Sequence, residues 1–115
     1  MKKILVIDDE NDIVEIIKMA LEDEGYDVKS ASSGTEGLRK IDGFKPDLIL
    51  LDIIMNDMDG MTMKKNMKQD IPVIVISACD QKTREAIEKE ITVDKWIEKP
   101  FGIRELIEEI KKQLK

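Results

Sequence analysis

The sequence predicts an α/β domain, a doubly wound (βα)5 three-layer sandwich around a five-stranded parallel sheet. Two observations carry this. Short β-rich runs alternate with helical patterns along the whole chain, the signature of βα units. One run, Leu48-Ile49-Leu50-Leu51, is apolar at successive positions, as a strand covered on both faces needs. No Ser/Gly linker, low-complexity block or like-charge tail interrupts the alternation, so residues 1–115 read as one domain.

Lys3–Ile7 is the first predicted strand. Ile13, Ile16, Ile17, Ala20 and Leu21 then follow helical spacing, and Gly25 supplies the residue that stops a helix in the left-handed region. Tyr26–Ala31 is a second, more polar strand suited to a sheet edge. Ser33-x-x-Glu36 has the form of a capping box and opens a helix that turns Leu38 and Ile41 inward. Pro46–Leu51 is the third strand, and a short, weakly periodic helix is expected around Thr62–Lys68. Val73–Ile76 and Lys95–Glu98 are strands four and five, with a helix over Thr83–Glu90 between them. Ile103, Leu106, Ile107, Ile110 and Leu114 form the stripe of a last helix. Parallel crossovers are right-handed, so every strand ends on the same edge of the sheet. In the flavodoxin-like order 2-1-3-4-5, ligands sit at that edge.

Composition narrows the chemistry. Hydrophobic residues at 42% and charged residues at 38% describe a folded globular chain, and the longest apolar runs are too short to span a bilayer. The net charge of −6 argues against nucleic acid or an anionic membrane as direct partner. The single cysteine, Cys79, excludes a disulfide framework and reads as a free thiol in a reducing cytoplasm. Without histidine, catalytic triads and the usual zinc sites are impossible. The chemistry that remains runs on carboxylates, hydroxyls and lysine.

Those groups stand at the predicted carboxyl edge. Asp8 and Asp9 follow strand one, Asp52 follows strand three, Ser77 strand four, and Lys99-Pro100 strand five. Singly, each is an ordinary cap or turn residue. Together they are three acids, a hydroxyl and an amine on one edge. Clustered carboxylates need protons or a counter-cation, and oxygen-only donors suit Mg²⁺. A carboxylate can itself attack a phosphoryl group, whose spread charge a metal and Lys99 would stabilise while Ser77 donates a hydrogen bond.

These residues, with Leu-Leu-Asp-Ile-Ile-Met around Asp52, Asp59-Gly60-Met61, Ser77-Ala78 and Lys99-Pro100-Phe101, make the chain resemble the receiver domain of two-component response regulators, in the manner of a chemotaxis-regulator-like single receiver. The resemblance covers essentially the whole length. It implies that Asp52 is the phosphoacceptor, and that Asp9 and Asp52 bind Mg²⁺ with the backbone carbonyl of Ile54, Asp8 acting through water. Ser77 would be the switch hydroxyl, Lys99 the phosphate-pairing cation and Trp96 the aromatic switch. It also implies a cis Lys99–Pro100 bond, and that Ile54 and Cys79 flank the path of the hydrolytic water. The donor would be a sensor histidine kinase or histidine phosphotransfer protein, and the output the face of helix four, strand five and helix five. The expected protein is a cytoplasmic signalling domain with no turnover activity, acting alone or as part of a longer chain.

Some positions depart from the family's pattern. Asn56 stands where proline is common, and Ile91-Thr92-Val93-Asp94 replaces the usual small-residue turn before strand five. Met55, Met58, Met61, Met63 and Met67 are read as gap-filling core. Two alternatives use the same fold class. A haloacid dehalogenase-type phosphatase would want a second acid and then Thr or Val where Glu10 and Asn11 stand. An interaction module with an idle pocket would not need all the acids and the lysine that this chain retains.

Overall fold

A computed structural model of the chain describes residues 1–53 and 59–115. Ile54, Met55, Asn56 and Met58, which figure in the expectations above, lie outside the described residues. The element order is β1 (Lys3–Ile7), α1 (Asn11–Asp23), β2 (Asp27–Ala31), α2 (Gly34–Phe44), β3 (Leu48–Asp52), α3 (Asp59–Asn66), β4 (Val73–Ser77), α4 (Gln81–Glu88), β5 (Lys95–Glu98) and α5 (Ile103–Gln113). All pairings are parallel, in the order β2-β1-β3-β4-β5.

Strand alternation divides the core into two layers. Leu5, Ile7, Ile49, Leu51, Val73 and Val75 pack with Ile41, Phe44, Met63 and Ile87 of α2, α3 and α4. Ile4, Val6, Leu48, Leu50, Ile74 and Ile76 pack with Val14, Ile17 and Leu21 of α1 and with Leu106 and Ile110 of α5. β3 and β4 are buried at every position, as central parallel strands must be.

Element ends follow local chemistry. Gly25, at φ +94°, closes α1 in a Schellman arrangement. The Gly25 N–H donates to the Glu22 carbonyl at 3.0 Å and the Tyr26 N–H to that of Leu21 at 3.1 Å. Ser33 Oγ accepts from the Glu36 N–H at 3.1 Å and caps α2, but Glu36 Oε1 accepts from the Ser32 N–H, one residue earlier than a strict capping box requires. α4 begins two residues before the predicted start because Asp80 Oδ1 caps it through the Thr83 N–H. α3 likewise begins earlier, at Asp59. In the turn before β5, Ile91 is buried, and Asp94 exchanges two hydrogen bonds with the Val73 backbone.

α1 buries a stripe one step round from the one that the sequence pattern predicts. Ile16 is 57% exposed, whereas Val14 at 6% completes the buried stripe with Ile17 and Leu21. Met63 is fully buried and Met61 and Met67 lean on the same cluster, as gap-filling predicts.

Candidate functional site

Sheet register assembles the carboxyl edge. Ile7 pairs with Leu51, so Asp8 and Asp52, one residue further along each strand, stand side by side. Asp52 pairs with Ile76, just before Ser77, and Ser77 pairs with Glu98, just before Lys99. Apolar residues precede Asp8, Asp52 and Ser77, and the exposed Glu98 precedes Lys99, so the polar groups of the site gather where these strands end.

The centre of the site is the Lys99 ammonium. Nζ donates to Asp8 Oδ2 at 3.1 Å, to Glu10 Oε1 at 3.1 Å and to Asp52 Oδ2 at 3.2 Å. The Asp8 and Asp52 side chains are buried and that of Lys99 is 13% exposed. The lysine is aimed by its backbone: its N–H donates to the Ser77 carbonyl at 2.9 Å, and the Lys99–Pro100 bond is cis, as the resemblance implies. Burial alone would lower the lysine pKa, but hydrogen bonds to Glu10 and Asp8, with the charges of Asp52 and Asp8, outweigh it and raise it above the ordinary value. The amine is therefore a fixed positive charge.

Asp8, Asp9, Glu10 and Asp52 each offer an oxygen atom, all within 4.8 Å of one another. A set of hard carboxylate oxygens at this spacing, with Asp9 and Glu10 reachable from solvent, fits a small divalent cation. Asp8 Oδ1 also accepts from the Glu10 N–H at 2.9 Å, which shapes the turn entering α1. Ser77 Oγ is buried and has no hydrogen-bond partner among the described residues, a hydroxyl free to donate to an incoming oxygen.

The structure thus brings Asp8, Asp9, Asp52 and Lys99 together and sets Ser77 at the same edge. Ile54 lies outside the described residues. Trp96 does not line the pocket. It is 7% exposed within the core layer of α2, α3 and α4, and the Arg84 guanidinium of α4 lies 5.0 Å from its ring centroid. Glu10 is the residue that sequence reasoning missed. Its place directly after the acid pair is the signal that the sequence offers. α3 approaches the end of β3 backbone to backbone: a Cβ on Gly60 would lie 2.7 Å from the Asp52 carbonyl oxygen and 3.0 Å from Ile53 Cα, so only glycine lets the helix rest there.

Fold and site together describe a regulatory domain built around an acidic pocket at a sheet edge. The response regulator receiver domain matches residues 4–111, and the chain belongs to that family. It is 39% identical over 113 residues to the alkaline phosphatase synthesis transcriptional regulatory protein PhoP of Bacillus subtilis, covering 96% of this chain but 47% of that protein. The chain therefore spans about half the length of that relative. Among solved structures, a CheY-like receiver domain protein from Methanospirillum hungatei superposes with a TM-score of 0.89 at 32% identity, covering 99% of this chain and 94% of that one. The response regulator TrrA from Thermotoga maritima, solved with Mg²⁺-BeF, gives 0.84 at 34% identity, covering 98% and 99%.

Proposed function

We propose that this domain is a phosphorylation-operated switch in which Asp52 accepts a phosphoryl group in a Mg²⁺-dependent reaction. The observation that carries this reading is the three-way hydrogen bonding of Lys99 Nζ, which holds a cation directly against the Asp52 carboxylate. Family membership and the Mg²⁺-BeF complex of TrrA support it. The donor is the phosphohistidine of a sensor kinase or phosphotransfer protein, and the domain is a cytoplasmic signalling module, not a turnover enzyme.

An Asp52 oxygen attacks phosphorus, the new O–P bond forms, and the donor's P–N bond breaks with its electron pair left on the imidazole nitrogen. Lys99 pairs with the phosphoryl oxygens and Ser77 Oγ donates to another, both offsetting charge that spreads during transfer. Asp9 and Asp52, with the Ile54 carbonyl and Asp8 through water, would hold Mg²⁺. When bound, the ion supplies positive charge that relieves repulsion between the acids and the incoming group. Ser77 follows the phosphoryl group, and β4 passes this shift toward β5, Trp96 and the α4–β5–α5 face.

The test is incubation with acetyl phosphate and Mg²⁺, followed by intact-mass measurement. A single acid-stable, base-labile phosphoryl group, absent in Asp52→Asn and in EDTA, is the expected result. Full labelling of Asp52→Asn would overturn the assignment.

A further inference from the structure

Lys99 divides its ammonium among three carboxylates that are not equivalent. Asp8 and Asp52 are buried inside the pocket, whereas the Glu10 side chain is 56% exposed at its rim. Asp8 and Asp52 are the buried members of the acidic cluster that could hold a divalent cation, and Asp9 and Glu10 are its exposed ones. Ammonium and cation therefore compete for the buried pair, and two cations in so small a space repel each other. The ammonium must give ground when the ion enters. Among its described partners, only Glu10 lies outside the buried pair.

Glu10 is also anchored for this task. Its N–H donates to Asp8 Oδ1, and its carbonyl accepts from the Val14 N–H at 3.1 Å, so its backbone is held at both ends of the turn into α1. We infer that Glu10 is a positioning residue for Lys99, the alternative seat that takes the ammonium when a divalent cation occupies the pocket. Glu10 thereby lowers the barrier to cation entry and keeps Lys99 within reach of a phosphoryl group on Asp52. This rests on the phosphorylation reading above and adds to it a role for a residue outside the set that the resemblance names.

The test is calorimetric titration of Mg²⁺ into the parent, Glu10→Gln, Lys99→Met and the double variant, with Lys99→Gln as a second background. In the parent background Glu10→Gln should weaken Mg²⁺ binding by about three- to five-fold, the effect of one exposed ion pair. In either Lys99 variant the same substitution should cost clearly less, leaving only the through-space loss of one rim charge. Equal losses in both backgrounds would show that Glu10 acts on the ion directly and overturn the inference, as would no loss in the parent. A parent that binds no Mg²⁺ would refute the phosphorylation reading and this inference together. Binding in the parent with equal losses refutes only the role of Glu10.

Discussion

Lys99→Met keeps the length and apolar stem of the side chain but removes the ammonium that hydrogen-bonds Asp8 and Asp52. At an effective dielectric constant near 20, unit charges 3.1 Å apart attract by about 5 kcal/mol before desolvation is subtracted. Stripping the partner from buried carboxylates costs about 3–5 kcal/mol, and the partial access of Lys99 to solvent places this case at about 3 kcal/mol. Unfolding entropy of about 2.1 cal/mol/K per residue gives ~0.24 kcal/mol/K for 115 residues, so the expected loss is about 12 °C in Tm. The assay is thermal unfolding followed by circular dichroism near neutral pH, in EDTA and again in saturating Mg²⁺. In EDTA the variant should melt well below the parent. In Mg²⁺ the gap should narrow, because a divalent ion restores a counter-charge to the same oxygens. A variant that matches the parent in EDTA, or whose deficit ignores Mg²⁺, would refute the view that Lys99 neutralises this pocket.

The same pair of proteins tests the ionisation of Lys99. Its pKa is raised in the folded state, so its stabilisation is complete below the ordinary lysine value and is lost only as pH rises through the higher folded value. The Tm gap in EDTA should therefore hold from neutral pH to about pH 10 and shrink above it, and a gap that closes by pH 8 would contradict this. Gly60→Ala should lower Tm by up to about 8 °C, since crowding against the Asp52 carbonyl costs about 1–3 kcal/mol and better helix propensity returns about 1 kcal/mol at most. An unchanged Tm would mean that α3 can slide. On the phosphorylation reading proposed above, phosphorylated protein should decay slowly in Mg²⁺, since Ile54 and Cys79, which the resemblance sets beside the hydrolytic water, carry no amide or carboxylate to orient it. Ile54→Asn and Cys79→Glu should each speed the loss, on the order of 10-fold or more, in a time course of intact mass.

Much of this was legible in the chain. β3 and β4 could be read because continuous aliphatic runs have few alternatives to a doubly covered strand. α1 was harder. Ile13, Val14, Ile16 and Ile17 allow two adjacent stripes, and only packing against Ile4, Val6 and α5 selects Val14 over Ile16. α3 carries too little periodicity to be placed from pattern, and its start is set by a backbone contact at Gly60 that no side chain announces. Within the site, Asp8, Asp52 and Lys99 follow from strand ends plus strand order. Glu10 does not, because its importance comes from where Lys99 Nζ reaches across the sheet edge. Trp96 could be placed on β5, but the Arg84 guanidinium lying over it depends on how α4 docks.

The contact at Gly60 has a mechanical consequence. Where a helix meets a sheet through side chains, rotamers can give and a displacement of tenths of an ångström dies out in the intervening layer. At Gly60 there is no such layer, and the main chain of α3 bears on the main chain of Asp52 and Ile53. Peptide planes are stiff, so this junction transmits as a rigid bearing and not as a cushion. A tilt at the end of β3 would therefore press directly on the first turn of α3. Met63, one turn further along α3, is fully buried, and its flexible thioether is suited to take up such a shift within the core.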